Sequence, residues 1–335
     1  MSGSETMSGD WEEFDHIRVA EAAQRLEGVI EHTPLVAFDA GDERVELRLK
    51  LESLQVTGSF KARGAWNQIS RLDDDERRRG VVACSSGNHA GALAWAAQRA
   101  GVSAVVVMPE DAYPNKIAAC RERGAEVVLA PTREAAEERC AAFVAEGKVM
   151  VHPYDAARTV QGAGTVGLEI ARDWAEVEVV IVPVGGGGLI SGTSLALRSE
   201  LGSAVTILGA EPAGSPSLTL ALQARSPVIL DEITTAVQGL CPLYSGQLNV
   251  DICRAAVDGV ILVEDEAVFG AQGRLVSAGI GAEPAGAAAP ALVLGGFLPA
   301  ALLVGRDGAD PLRVAAVVSG GNADPDQIAA LRGSA

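Results

Sequence analysis

The stretch Val179-Val180-Ile181-Val182-Pro183-Val184-Gly185-Gly186-Gly187-Gly188-Leu189-Ile190-Ser191 reads as a strand, a turn and the start of a helix. Its first six residues are apolar without a break. That pattern belongs to a strand buried on both faces, not to one with a wet side. The glycines let backbone N–H groups turn inward around an anion, and the helix opening through Leu189 adds a favourable dipole. The unit reads as a phosphate cup. A P-loop would need a Gly-Lys-Ser/Thr that does not follow. The dinucleotide fingerprint lacks its third glycine, although Glu211 lies one strand later, where a ribose-binding acid is expected. A purely structural glycine turn is the remaining alternative.

The same grammar extends outward in both directions. Strand-like runs at Val81–Cys84, Ala104–Met108, Glu126–Ala130 and Val149–His152 alternate with helical stretches at Ala90–Arg99, Pro114–Arg123 and Glu134–Glu146. A helix over Gly164–Trp174 precedes the quoted strand. Beyond it come Thr206–Ala210 as strand, Ala267–Ala278 as helix and Arg313–Val318 as strand. Strand-helix alternation with short loops predicts an α/β fold with parallel sheets. A chain of 335 residues suggests two domains. No linker or internal repeat separates them.

Bulk composition narrows the partners. The net charge of −17 repels phosphate backbones and anionic membranes, so neither nucleic acid nor a membrane surface is expected. No apolar run reaches the roughly 18 residues of a spanning helix. The start, Met1 to Asp15, is polar and acidic rather than a secretion signal. Its first ten residues read as a disordered tail, with Met7 an alternative start. Five scattered cysteines without CxxC spacing fit a reducing cytoplasm. No zinc cluster has spacing support.

Two further loops share the placement of the glycine turn. Ser85-Ser86-Gly87-Asn88-His89 follows the Val81–Cys84 strand, and Ser319-Gly320-Gly321-Asn322 ends the last one. In the first, Ser and Asn can cap the following helix. The same cluster can also present N–H donors and hydroxyls to a carboxylate. In open parallel sheets ligands bind at the carboxyl ends of strands, and all three loops fall there. Lysine usage adds a fourth signal. Of 27 cationic residues only 4 are Lys, and one is Lys61 in Thr57-Gly58-Ser59-Phe60-Lys61-Ala62-Arg63-Gly64. Arg cannot replace Lys where a deprotonated amine must do chemistry. A Schiff base with a carbonyl cofactor, commonly pyridoxal phosphate, is one such task. On composition alone a surface lysine explains the position equally well.

Together, TGSFKARGAWN, SSGNHAGALAWAA, PVGGGGLISG, AEP, EPAGAAA and VVSGGN resemble the fold type II pyridoxal-phosphate enzymes. Among these the chain is most similar to threonine/serine dehydratases and serine racemase, from about His32 to Asn322. The resemblance implies a tryptophan synthase beta-like fold of two open parallel-sheet domains, each a three-layer αβα unit. It places a large cofactor-binding domain at 1–79 and 158–335 and a small substrate-loop domain at 80–157. It also implies a homodimer.

Residue by residue, the resemblance implies that Lys61 carries pyridoxal 5'-phosphate and later removes the Cα proton. Phe60 packs on the pyridine ring, and Asn88 bonds the ring hydroxyl. Gly185, Gly186, Gly187, Gly188 and Leu189 hold the phosphate. Ser319 meets the pyridine nitrogen. Ser85, Ser86, Gly87, Asn88 and His89 receive the substrate carboxylate, and Ser86 matches the opposite-face base of the racemase. A Ser at the ring nitrogen cannot fully donate a proton as an Asp would. The weaker electron sink suits β-elimination better than transamination.

The expected activity is therefore dehydration and deamination of a β-hydroxy amino acid such as L-threonine or L-serine, giving a 2-oxo acid and ammonia. The alternatives are a serine-type racemase and a dehydratase for another substrate such as hydroxyaspartate. Further off stand a non-catalytic amino-acid sensor, against which the set Lys61, Asn88 and Ser319 argues, and a nicotinamide dehydrogenase.

The chain also departs from the family pattern. Gly91 and Gly162-Ala163-Gly164 stand where polar residues are usual, which would reshape the substrate pocket. The segment Thr235–Pro242 differs as well. Near Glu211-Pro212 the family's second metal carboxylate falls close to Ser217, which argues against a metal ion. Glu283 is expected either near the cofactor or as a helix start. The chain ends soon after Asn322, so no C-terminal regulatory domain is expected.

Overall fold

The computed structural model describes residues 11–324, 327–329 and 331; the expected tail over the first ten residues lies outside them. Among the described residues ten strands follow in chain order. They are β1 Leu35–Phe38, β2 Val45–Leu51, β3 Val81–Cys84, β4 Ala104–Pro109, β5 Glu126–Ala130, β6 Val149–Met150, β7 Val179–Pro183, β8 Thr206–Pro212, β9 Gly259–Val263 and β10 Leu312–Val318. They make a six-stranded sheet, β1-β2-β10-β7-β8-β9, and a four-stranded sheet, β5-β4-β3-β6. Every pairing is parallel except β1 with β2. The α/β class and its parallel sheets are as the sequence predicts.

The unbroken apolar runs have a simple cause. Along β7, Val179 and Ile181 enter one core while Val180 and Val182 enter another on the opposite face. On β10, Val314, Ala316 and Val318 join the first core, and Ala315 and Val317 the second. A two-residue side-chain period between two helical layers leaves no solvent face to mark with polar residues. The four-stranded sheet repeats this arrangement, with Val82, Val105 and Val107 on one face and Val81, Val106 and Met108 on the other.

Several expectations need correction. The strand expected to reach His152 stops at Met150, as a two-residue edge strand. The helix expected over Gly164–Trp174 is present as Thr165–Asp173, and a further helix not expected from the sequence, Ala157–Ala163, meets it at Gly164. A Cβ at Gly164 would come within 2.6 Å of the Gly192 carbonyl, and one at Gly162 within 2.6 Å of the Arg63 carbonyl. Ala163 is buried in the core. Gly162-Ala163-Gly164 therefore serves close helix packing, not the substrate pocket. The Lys61–Ile69 helix leans on this contact, and its first residue is Lys61.

Beneath that helix lies a sealed ionic cluster. Arg63, fully buried, donates to both Glu52 oxygens at 2.7 Å and to both Glu169 oxygens at 2.5 and 2.9 Å. Lys50, also fully buried, pairs with Glu169 at 2.6 Å. Two forked carboxylate contacts fix the guanidinium in plane and in depth. The first turn of the Lys61 helix is thereby tied to the end of β2 and to the Thr165–Asp173 helix.

Candidate active site

The turns after β3, β7 and β10 meet around a cavity of ≈ 550 Å³. Of the expected residues, Lys61, Ser85, Ser86, Gly87, Asn88, His89 and Gly186 border it. Phe60, Gly185, Gly187, Gly188, Leu189 and Ser319 are not among its lining.

Lys61 is presented by a turn anchored to the end of β10. The N–H of Phe60 donates to the Ser319 carbonyl at 3.1 Å, and Ser59 bridges to Gly320. The Lys61 ammonium donates to the Pro153 carbonyl at 2.7 Å and lies 5.0 Å from the centre of the Phe60 ring. Desolvation pulls its pKa down to about 8, so a neutral amine is within reach near physiological pH.

The glycine turn is a cradle in which side chains have no room. Gly187 has φ +88, a conformation that favours glycine. A Cβ on Gly188 would lie 2.8 Å from the Tyr154 carbonyl, and one on Gly186 would strike the Tyr154 ring. Asn249 donates to the Gly186 carbonyl at 2.8 Å and so holds the loop's acceptor side away. The N–H groups of Gly185, Gly186 and Gly187 find no acceptor among the described residues. The first-turn N–H groups of the Gly188–Leu201 helix have no intrahelical partner either. Converging N–H groups, a helix N-terminus and a nearby low-pKa amine together fit a phosphorylated aldehyde.

Of the two readings of the Ser85–His89 turn, side-chain capping of the following helix is not what it does. The helix Asn88–Ala100 starts on Gly87 without a side-chain cap, and Ser85 Oγ only accepts from the Gly87 N–H at 3.3 Å. The Ser86 hydroxyl is thus left to the cavity. His89 is turned away: its Nε2 donates to the Val151 carbonyl at 2.7 Å, leaving Nδ1 without a partner among the described residues. Burial, helped by Lys61, drops its pKa to about 3, so the ring is neutral. His89 contributes backbone rather than charge.

Glu283, open between two readings from sequence, borders the cavity. It occupies the N-cap position of the helix Pro284–Leu294 without capping it, and instead accepts from Asn88 Nδ2. Burial pushes its carboxyl up to about 7. Glu211 is not a ribose ligand. At the end of β8 it accepts from the Leu218 and Thr219 N–H groups at 2.7 and 3.0 Å and from the Thr219 hydroxyl at 2.6 Å. Burial also raises it to about 7. Gly91 has open space in front of it and borders a second cavity of ≈ 220 Å³ that shares Asn88 with the first.

Further residues complete the site, some from segments the sequence named, among them Asn322 and the divergent Thr235–Pro242 stretch, and some not. Asn322 Nδ2 donates to Asn88 Oδ1 at 2.9 Å; its only sequence signal is its place in the SGGN turn. Tyr154 covers the glycine cradle, and Tyr244 packs edge-on against it with ring centres 6.1 Å apart. Asn249 carried no sequence signal. At the mouth, Gln238 donates to the Tyr113 hydroxyl at 2.6 Å, and Arg133 to the Cys241 carbonyl at 3.1 Å. Among the described residues no helix is long and apolar enough to cross a membrane. The five cysteines are free thiols.

The family described as "Pyridoxal-phosphate dependent enzyme" matches residues 26–320. An L-threonine ammonia-lyase of Thermotoga maritima is 38% identical over 315 residues, covering 92% of this chain and 76% of that protein. A phenylserine dehydratase of Ralstonia pickettii is 36% identical, covering 91% of this chain and 92% of that protein. Among solved structures, maize serine racemase superposes with a TM-score of 0.86 at 31% identity, covering 96% of each chain.

Proposed function

Because the chain belongs to the pyridoxal-phosphate dependent enzymes, we propose that it is a lyase that dehydrates and deaminates a β-hydroxy amino acid. L-threonine or L-serine would be converted to a 2-oxo acid and ammonia. One observation carries the reading. The Lys61 amine, eased toward its neutral form, shares a cavity with the Ser85–His89 turn and with Gly186 of the glycine cradle. The similarity to proteins named for deaminating threonine and dehydrating phenylserine supports it.

When bound, pyridoxal phosphate supplies an aldehyde that takes up an amino group and a conjugated ring that draws electrons from the adjacent carbon. The protein's own groups do the rest. Backbone N–H groups from Gly185 to Leu189 hold the phosphate. The N–H groups and hydroxyls of Ser85, Ser86, Gly87, Asn88 and His89 orient the substrate carboxylate. Ser319 would meet the ring nitrogen and Phe60 the ring face. Lys61 Nζ would hold the aldehyde carbon at rest and, once displaced by the substrate amine, would take the Cα proton; such a base contributes about 10²–10⁴-fold. The electron pair of the lost Cα–H bond would form a Cα–Cβ double bond as the β-hydroxyl departs with a proton as water, the proton taken from Cα balancing the one consumed. The released enamine then takes a proton at Cβ, adds water at Cα and loses ammonia.

A second reading, an amino-acid racemase, draws on Ser86, which borders the same cavity as Lys61, and on the likeness to maize serine racemase. In it the Ser86 hydroxyl exchanges the Cα proton on the other face. A dehydratase for hydroxyaspartate differs only in the substrate side chain. The working unit in this proposal is a homodimer in a reducing compartment, to which free thiols are suited. The proposal keeps 80–157 as its small domain and 1–79 with 158–335 as its large one, the four-stranded sheet lying within the former.

The test is the absorbance of the purified protein before and after L-serine, L-threonine and 3-hydroxyaspartate, with 2-oxo acid and chirality assayed alongside. A spectral change with 2-oxo acid release supports the lyase. A spectral change with scrambled substrate and no 2-oxo acid replaces it with the racemase.

A further inference from the structure

We propose that Glu283 and Asn322 are positioning residues that lock the Asn88 carboxamide with one N–H turned into the cavity. The ligand atom Asn88 meets is then an acceptor, the ring oxygen. The inference rests on the reading that pyridoxal phosphate occupies this cavity.

The orientation follows from a chain of partners with no freedom at its start. The Thr57 backbone carbonyl can only accept, so the Asn322 atom 2.9 Å from it is the amide nitrogen. That same nitrogen lies 2.9 Å from the Asn88 amide, which must therefore present its oxygen. Asn88 Nδ2 is left facing Glu283, which accepts. Amide oxygen and nitrogen are often interchangeable in structures. Here a backbone carbonyl decides both amides. Flipping Asn88 would set its nitrogen against the Asn322 nitrogen and, with Glu283 ionised, its oxygen against a carboxylate, losing two part-buried hydrogen bonds at once.

One Asn88 Nδ2 hydrogen is used by Glu283, and the other has no acceptor among the described residues. Asn88, Glu283 and Asn322 all border the cavity. The frame around them is backbone. The Gly321 N–H donates to Gly58 at 2.9 Å, and the Glu283 N–H to Gly320 at 3.0 Å. Lys116 donates to the Asn322 carbonyl at 2.8 Å. The Lys61 turn, the Ser85–His89 turn, the Ser319–Asn322 turn and the start of the Pro284 helix thus converge on the polarity of one amide.

The test is pyridoxal phosphate affinity and bound-cofactor absorbance in wild type and two pairs of variants. Asn322→Asp replaces a donor by an acceptor and forces Asn88 to flip; a loss of about tenfold or more is expected, with a shifted band. Asn322→Ala only removes a partner, and Glu283 still holds Asn88, so a loss of about threefold or less is expected. In the second pair, Glu283→Gln can still turn an oxygen to Asn88 and stays within about twofold of wild type. Glu283→Met accepts nothing and loses about fivefold or more. If Asn322→Asp binds as well as Asn322→Ala, or Glu283→Met as well as Glu283→Gln, the lock is overturned; the second pair decides should the first not fold. A wild-type protein that takes up no pyridoxal phosphate overturns the functional reading itself.

Discussion

The backbone N–H of Phe60 donates to the carbonyl of Ser319 at 3.1 Å. The residue expected against the cofactor ring and the residue expected at its nitrogen are therefore joined directly. Lys61 follows Phe60 at once, so its amine has a fixed reach from the end of β10. A displacement of about 1 Å can cost on the order of 10²-fold in rate, and this bond guards against it.

Lys61→Ala is expected to abolish turnover. Borohydride treatment of the pyridoxal phosphate-loaded wild type should leave a stable mass adduct on Lys61, and the variant should carry none. In the apoprotein, capture of the aldehyde should speed up with pH and level off above about 8, following the depressed pKa of the amine. A profile still climbing at pH 10 would contradict the desolvated setting described for it.

Gly186→Ala is expected to lower pyridoxal phosphate affinity by about tenfold or more, because the new methyl group strikes the Tyr154 ring. Tyr154→Ala in the same chain should recover part of the loss by making room. Titration of the single and double variants checks this; equal affinities for the two would show that the clash is not the cause.

Arg63→Met is expected to destabilise the fold by about 3–5 kcal/mol, because it strands the fully buried Glu52 and weakens Glu169. The urea midpoint should fall with an unchanged slope. Arg63→Met together with Glu52→Gln should be less damaged than Arg63→Met alone, since one stranded charge is gone.

Glu211→Gln should change the pH dependence of stability in a defined direction. The folded-state pKa is raised from 4.5 to about 7, so the fold keeps a proton that the unfolded chain releases over that window. Wild type therefore loses this contribution as pH rises from about 4.5 to 7. His89 and His152, lowered by burial, act in the opposite sense, so the comparison is between proteins and not within one. Measured by urea unfolding, the deficit of the variant at pH 5 should shrink by pH 8. A constant deficit would mean that Glu211 does not titrate in this range.

The strands legible in the sequence were those whose two faces both meet a core. β7, β4 and β3 consist almost wholly of Val, Ile, Ala and Met, and no other element explains such runs. β2 was not legible, because Arg48 and Lys50 interrupt it. Lys50 is tolerated there only because Glu169 and the Thr33 carbonyl neutralise it, and these partners are distant in sequence. The helix Pro284–Leu294 was hidden for the converse reason: buried all round and with Pro290 inside, it shows no amphipathic period. In the site, the glycine turn, Lys61 and the Ser85–His89 turn were legible because each motif is local. Asn249, Tyr154 and the link from Glu283 to Asn322 arise only when separate segments fold together.

The sheet order also sets a schedule. β10, the last strand of the described residues, lies between β2 and β7 in the interior of the large sheet. Until it arrives, β1-β2 and β7-β8-β9 are two separate fragments, each with an open edge. The small sheet draws all its strands from one uninterrupted stretch, Val81 to Met150, and depends on no late arrival. On a ribosome, where domains form as the chain emerges, the small sheet can therefore assemble early, while the large one waits until Leu312–Val318 has emerged. Lys61, made early, acquires its setting late: a nascent chain carries the reactive amine long before it has the Ser319 strand end that aims it.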